Sequence, residues 1–280
     1  MFQVFRAPAD LSHWVDGAVV IRLGPTPGVS CFPAVPHAML TLRLARPAGA
    51  PWALCPPITF HTLSTEPMVH AHVGDTVAMG LLVRPEAAAC LLGAATGAVV
   101  NQVLAWHTLS GAAEAARLDD AVEGARTDIA RLRALADSFR RTMAAVSRGR
   151  DAACARLCAA VGDRGAQAGD DLGLGRRQLE RRCQAVLGLG PKQFQRLVRF
   201  HRVLSMAVAG GALPGAALAH DTGFFDQSHL AREVRALAGA PLGRLLEGAR
   251  PDAAWWPLAT RLGRSTGLVL PAGRGGPSGG

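Results

Sequence analysis

The chain has 280 residues, 49% of them hydrophobic and 18% charged, which is long enough for about two domains and excludes a disordered polymer. Its formal net charge of +9 is uneven: residues 1–150 hold 13 basic side chains against 11 acidic, and residues 151–280 hold 17 against 10. Within 172–202 eight basic residues (Arg176, Arg177, Arg181, Arg182, Lys192, Arg196, Arg199 and Arg202) stand against Glu180 alone, an excess that suits a phosphate backbone, an acidic membrane surface or an acidic protein.

Residues 1–105 read as mostly β. Short apolar stretches at 18–23, 38–44 and 77–83 are separated by Pro- and Gly-rich turns at 25–28, 47–51 and 55–57. Pro85-Glu86 then opens a predicted helix over 86–92, because proline suits a first helical turn. The longest apolar run, 87–100, is too short to span a bilayer, and the N-terminus has no basic stretch leading into an apolar core. A cytoplasmic location without a membrane partner is expected. Six cysteines form no Cys-x-x-Cys pair, and Cys154 and Cys158, one helical turn apart, read as small core residues.

Between 114 and 147 the period changes. Leu118, Val122, Ala125, Ile129, Leu132, Ala136, Phe139, Met143 and Val146 recur at alternating spacings of four and three, a heptad seam. It reads either as a dimerising helix, giving a homodimer, or as one or two amphipathic helices lying on the β region, with Gly124 as a weak point. The final stretch, 262–280, holds seven glycines and two prolines and reads as a flexible tail.

The segment 172–183 carries the functional signal. Gly173 and Gly175 flank Leu174 at a predicted tight turn. In the helix that follows, Leu179, Cys183, Val186 and Leu187 form one apolar stripe. Burying that stripe turns Arg176, Arg177, Gln178, Glu180 and Arg181 outward. An exposed Arg/Gln face can enter a major groove, where Arg bonds guanine O6 and N7 and Gln bonds adenine.

A second copy follows. Residues 213–220 read as a short helix, Asp221-Thr-Gly-Phe-Phe225 as the turn, and Asp226 as the N-cap of a helix over 227–237. Leu230, Val234 and Leu237 face inward, and Gln227, Ser228, Ala231, Arg232 and Arg235 face out. His229 is a candidate DNA or phosphate contact, and His201 and His220 read as structural or exposed. Between the copies Pro191 starts a linker helix over 191–208, with Phe194, Leu197, Val198, Leu204 and Val208 on its buried face. At about 1.5 Å per residue such a rod approaches the ~34 Å turn that separates successive major grooves on one face of DNA.

Arg176-Arg-Gln-Leu-Glu-Arg-Arg182, Gly188-Leu-Gly-Pro-Lys-Gln-Phe194 and Thr222-Gly-Phe-Phe-Asp-Gln-Ser-His-Leu230 resemble the AraC/XylS family of transcription regulators. The resemblance covers about 100 residues and implies a bipartite DNA-binding domain whose helices starting near Arg176 and Gln227 read bases. Residues 32–40 and 80–93 resemble, more weakly, the sensor-like first domain of such regulators, commonly a small β-barrel-like module for ligand sensing or dimerisation. Two departures stand out. The first scaffold helix, over 165–172, contains Gly165, Gly169, Asp170 and Asp171 where helix-favouring residues are usual, each interior glycine costing about 0.5–1 kcal/mol relative to alanine. Cys183 stands where a bulky aromatic is usual.

Rival readings are few. No Gly-x-x-x-x-Gly-Lys or His-Glu-x-x-His pattern occurs. His70-x-His72, with His61, Glu66 and Asp75, leaves a cupin-like metal-binding enzyme domain as one alternative. A protein-interaction module without specific DNA readout is another. The expectation is an α+β chain and a non-enzymatic, sequence-specific regulator that needs no cofactor or metal. It divides into a β-rich, barrel-like sensor region (1–110), an amphipathic helical segment (111–148), an all-α AraC-type domain with two helix-turn-helix units joined by a linker helix (149–250) and a tail (251–280). Double-stranded DNA is its expected partner, with RNA polymerase and a small-molecule effector as further candidates.

Overall fold

Strand β8 (Asp75–Val83) runs through the middle of the N-terminal sheet, buried on both faces, and its successive side chains point to opposite sides. The computed structural model describes residues 2–247, apart from 25–27, 47–49, 56, 73, 147–150 and 211–214. The other strands are β1 (Phe2–Arg6), β2 (Val15–Leu23), β3 (Gly28–Phe32), β4 (Ala38–Arg46), β5 (Ala53–Leu54), β6 (Thr59–His61), β7 (Met68–His72) and β9 (Val103–Ala105). They form an antiparallel sheet in the order β1-β2-β8-β4-β6-β9, with β5 beside β4, and a separate β3–β7 ribbon. In register, Met79 pairs with Val20 on one side and with Leu42 on the other.

Val77, Met79, Leu81 and Val83 of β8 face the main core, and Leu82 joins Val4, Val19 and Met39 in a smaller cluster on the other face, beside Phe32 of the ribbon. Gly80 is required between them: a Cβ there would lie 2.8 Å from the Leu40 carbonyl oxygen of the neighbouring strand. The described strands do not close into a hydrogen-bonded ring, so the barrel-like character comes from the ribbon folding over an open sheet. The predicted Pro/Gly turns fall largely outside the described residues, as do residues 251–280.

The helices begin with α1 (Pro85–Leu92), which has proline in its first turn as expected. They continue as α2 (His107–Ser110), α3 (Ala112–Gly124), α4 (Asp128–Val146), α5 (Asp151–Arg164), α6 (Ala168–Leu172), α7 (Arg176–Leu187), α8 (Pro191–Gly210), α9 (Gly215–Asp221), α10 (Gln227–Ala238) and α11 (Leu242–Glu247). The heptad seam is split, because the chain leaves the helix at Ala125 and re-enters it at Asp128. Leu118, Val122, Leu132, Ala136, Phe139 and Met143 are buried in the chain's own core. Phe139 stacks on Trp106 at 6.4 Å, and Trp106 donates its indole N–H to Ser138 Oγ at 3.0 Å. That bond lets a buried indole and a buried hydroxyl satisfy each other.

The main core does not stop at the end of the sheet. It runs on through α1 into α5 and α7, with Leu91, Leu157, Leu187 and Phe200 in one cluster. The helical third is therefore seated against the β-rich part by apolar burial, the dominant favourable term in such packing.

Candidate nucleic-acid interface

In the first unit α6 leads through Gly173-Leu174-Gly175 into α7. Gly173 sits in the left-handed region at φ +63°, and the Leu174 N–H donates to the Gly169 carbonyl at 2.9 Å. Leu179, Cys183 and Leu187 are buried, Val186 is half-buried, and Arg176, Arg177, Gln178, Glu180 and Arg181 are all exposed. Three of these five are engaged. Arg176 pairs with Glu180 at 3.3 Å, one helical turn on. Gln178 Oε1 accepts from the Gly175 N–H at 3.1 Å, which is half of a capping box, since the glycine has no side chain to return the bond. Arg176, Arg181 and Lys192 also line a groove between α6, α7 and the start of α8.

The two scaffold glycines turn out to be requirements rather than weak points. Gly165 has φ +56°, and a Cβ on it would come within 2.1 Å of the Gln195 side chain. At Gly169 a Cβ would lie 2.6 Å from the Leu174 carbonyl oxygen. Residues 165–167 form a 3-10 turn rather than α-helix. The helix-interior penalty therefore does not apply to Gly165, and at Gly169 the absent side chain lets the turn close. Cys183 is fully buried against this packing, and burial pushes its thiol up to about 11.

The second unit is held differently. Helix α9 begins at Gly215, with 213 and 214 outside the described residues, and reaches Asp221. Gly223 takes the left-handed conformation at φ +75°. Asp226 Oδ1 accepts from the His229 backbone N–H at 2.6 Å, the expected cap. Leu230, Val234 and Leu237 are buried, whereas Gln227, Ser228, Ala231, Arg232 and Arg235 are exposed. His229 is half-buried, with its ring edge-on to Phe224 at 5.3 Å.

Helix α8 spans 20 residues, two more than expected at its C-terminal end. Part of the positive charge of 172–202 is spent on assembly. Arg196 pairs with Glu233 of α10, Arg199 donates to the Gly223 carbonyl at 3.1 Å and lies over the Phe224 ring, and Arg202 pairs with Asp163 of α5 at 3.2 Å. Sequence reasoning missed these roles, because partners 24 to 39 residues away leave no local signal. Among the described residues, Arg177, Arg181, Arg182, Arg232 and Arg235 form no ion pair.

Both units touch the β-rich part. Gly188, at φ +69°, caps α7 so tightly against it that a Cβ would lie 2.5 Å from a Val100 methyl and 2.7 Å from the Thr96 carbonyl oxygen. The Ala34 N–H donates to the Leu237 carbonyl of α10 at 2.7 Å. Midway along α8, His201 faces His37, with ring centroids 5.1 Å apart. His37 Nε2 and Asp16 Oδ2 are 2.7 Å apart, and Arg84 bonds the other Asp16 oxygen at 2.8 Å. Burial pulls the His201 imidazole down to about 3, His37 adding to this and Asp16 opposing it. Burial raises the Asp16 carboxyl, but His37 and Arg84, with a smaller share from His201, outweigh this and hold it below its usual value. His220 is exposed.

A helix-turn-helix domain model matches residues 169–248, the span from α6 to the end of α11. Residues 169–248 form an AraC-type helix-turn-helix domain. The chain carrying it is a DNA-binding transcription regulator. No curated protein matches the sequence. Among solved structures the chain is similar to ToxT from Vibrio cholerae, at 11% identity over 82% of this chain and 97% of that one, with a TM-score of 0.46. ToxT bound to (E)-4-(8-methylnaphthalen-1-yl)but-3-enoic acid matches at 11% identity over 88% of this chain and 98% of that one, TM-score 0.45. The AraC-like transcriptional activator CuxR matches at 14% identity over 90% and 88%, TM-score 0.27.

Outside the AraC-type domain, a cavity lies between the sheet and the β3–β7 ribbon, lined by Leu23, Phe32, Met39, Arg43, His61 and His70 among others. Burial, with His70 and Arg43 nearby, lowers the His61 imidazole to about 4, and its Nδ1 is buried without a hydrogen-bond partner. Of the metal candidates, His61 and His70 are neighbours at 5.7 Å between ring centroids, Asp75 is paired with Arg46, and the His72 side chain lies outside the described residues. No group of three or more potential metal ligands occurs among the described residues. No described helix is long and apolar enough to cross a membrane.

Proposed function

We propose that the AraC-type domain reads two successive major grooves on one face of DNA, with α7 and α10 as the reading helices and α8 as the spacer. Arg176, Arg177, Gln178, Glu180 and Arg181 are assigned to one half-site, and Gln227, Ser228, His229, Arg232 and Arg235 to the other. One observation carries this reading: two helices, each with a buried apolar stripe and an exposed polar and Arg-bearing face, stand on one 20-residue helix. At about 1.5 Å per residue that helix is roughly 30 Å long, close to the ~34 Å repeat of the groove. Within each set, Arg177, Arg181 and Arg232 are the base readers, because they project from reading helices without competing ion pairs.

We further propose that a small effector controls this reading from the cavity beneath the β3–β7 ribbon. The wall is apolar apart from a few polar groups, the usual composition of a small-molecule site. The buried, unpartnered His61 Nδ1 offers one fixed hydrogen bond, and Arg43 one charge. Because Gly188, His201 and Leu237 each meet the β-rich part, a change in the sheet would reach both reading helices and the spacer.

Selection of bound duplexes from a random pool tests the reading. The expected result is one enriched site with two half-sites about one helical turn apart. Arg177→Ala should cost ~1–3 kcal/mol and relax sequence preference in one half-site only, and Arg232→Ala should do so in the other. A pool that yields no enriched sequence would overturn the proposal.

A further inference from the structure

Phe225 is the most exposed of the large hydrophobic side chains described, at 92%, against 63% for Val69, 46% for Val103 and 37% for Trp52. Trp52 lies beneath the Arg46 guanidinium. Phe225 immediately precedes Asp226, the N-cap of α10. At that position an apolar residue commonly folds down onto the fourth residue of the helix, which here is Leu230. Leu230 is buried, but Phe225 does not cover it, and the neighbouring Phe224 is the one packed inward.

The exposure is built in rather than a consequence of slack. Gly223 holds the left-handed turn, with its carbonyl bonded by Arg199, and Thr222 Oγ1 donates to the Leu218 carbonyl at 2.5 Å. On the other side Asp226 caps the helix. Phe224 lies between the Arg199 guanidinium and the His229 ring. Tied on both sides, the turn presents Phe225 from the end of α10 that also carries Gln227 and Ser228. The rest of the exposed face of α10 is polar except for the methyl groups of Ala231 and Ala236.

We infer that Phe225 is a specificity-determining residue of the second reading unit, making an apolar contact with a thymine methyl group in the major groove. This rests on the reading of α10 as a groove-reading helix. The 5-methyl of thymine is the apolar group displayed among the donors and acceptors of that groove, and an exposed phenyl ring suits it. Burying the ring there removes its apolar surface from water at the moment of binding. No charge is involved, so the contact adds sequence preference without adding salt dependence.

The test uses the full chain and the duplex obtained by selection with the wild-type protein. Phe225→Ala, whose thermal midpoint should match the wild type because the side chain packs on nothing, is expected to weaken operator binding by about tenfold while leaving random-sequence DNA unaffected. Phe225→Leu should retain most of the affinity. Replacing thymines by deoxyuracil one at a time in the α10 half-site should identify one position where wild-type binding falls about fourfold, the worth of one buried methyl group. At that position Phe225→Ala should be indifferent to the replacement.

Wild-type-like operator binding by Phe225→Ala overturns the inference, as does equal loss on every sequence. Unchanged DNA binding with lost transcription in a reconstituted assay also overturns it, by assigning the ring to a protein partner. Failure of the wild type to select any sequence is a different result, and sinks the groove-reading proposal itself.

Discussion

Helix α10 starts on an aspartate whose carboxylate accepts from the His229 N–H, whereas α7 starts on Gly175, which can offer nothing, and relies on Gln178 to satisfy one backbone donor. The second unit is also pinned to the spacer by Arg196 and Arg199. The first unit packs on the spacer as well, but its tightest contact is with the β-rich part, through Gly188 and the segment 93–100. The two proposed reading helices thus draw part of their support from different places. The lesson is that a weakly capped unit can still be well placed when another region of the chain supplies the packing.

Four substitutions probe this difference, beginning with the largest expected effect. Gly188→Val adds a left-handed penalty of about 1–2 kcal/mol and a clash with Val100 and the Thr96 carbonyl that together should cost about 2–4 kcal/mol of stability. Footprinting on the selected duplex should show the α7 half-site losing protection while the α10 half-site keeps it. Equal loss at both would mean that the first unit does not depend on its own support.

Asp226→Ala comes next. Loss of a side-chain cap costs about 0.5–2 kcal/mol, whereas Gln178→Ala removes only the reciprocal half of a capping box and should cost a few tenths, roughly the worth of a surface change. Chemical denaturation midpoints of the two variants check the ranking, and a larger loss for Gln178→Ala would contradict the account of the two caps.

The last test concerns the spacer that both units share, and its size depends on pH. His201 is held neutral well below the ordinary imidazole value, so the unfolded or undocked chain binds a proton that the docked form refuses. Its contribution to stability is complete above about pH 6.5, declines as pH falls below that, and is lost in full near the lowered value of about 3. Thermal midpoints measured between pH 7.5 and 5 should therefore fall, and His201→Gln should flatten that fall. His61, lowered to about 4, accounts for a part that remains. A slope identical in wild type and variant would show that docking is indifferent to His201.

Much of the recognition domain was legible in the residues. The stripe Leu179, Cys183, Leu187, the stripe Leu230, Val234, Leu237, the cap Asp226 and the helix start at Pro191 are all found where spacing put them. The seam of 114–147 was legible as a period but not as a partner, because a run of apolar residues every three or four positions states only that one face is buried. The sheet and α1 cover that face here. Gly165 and Gly169 were misjudged for a related reason. Propensity prices a glycine as if it lay inside a helix, and neither the positive φ of Gly165 nor the approach of Leu174 to Gly169 can be inferred from neighbours in sequence.

The sequence by itself determined where α1, α7, α8 and α10 begin, which stripe α7 and α10 bury and which of their side chains remain outside. These properties depend on residues three or four apart, and the backbone repeat relates them directly. Only the tertiary structure decided that Arg196, Arg199 and Arg202 serve assembly, that His201 meets His37, that Gly188 must lack a side chain, and that Phe224 turns in while Phe225 stays out. Each of these depends on atoms brought together by packing, and no local period encodes them.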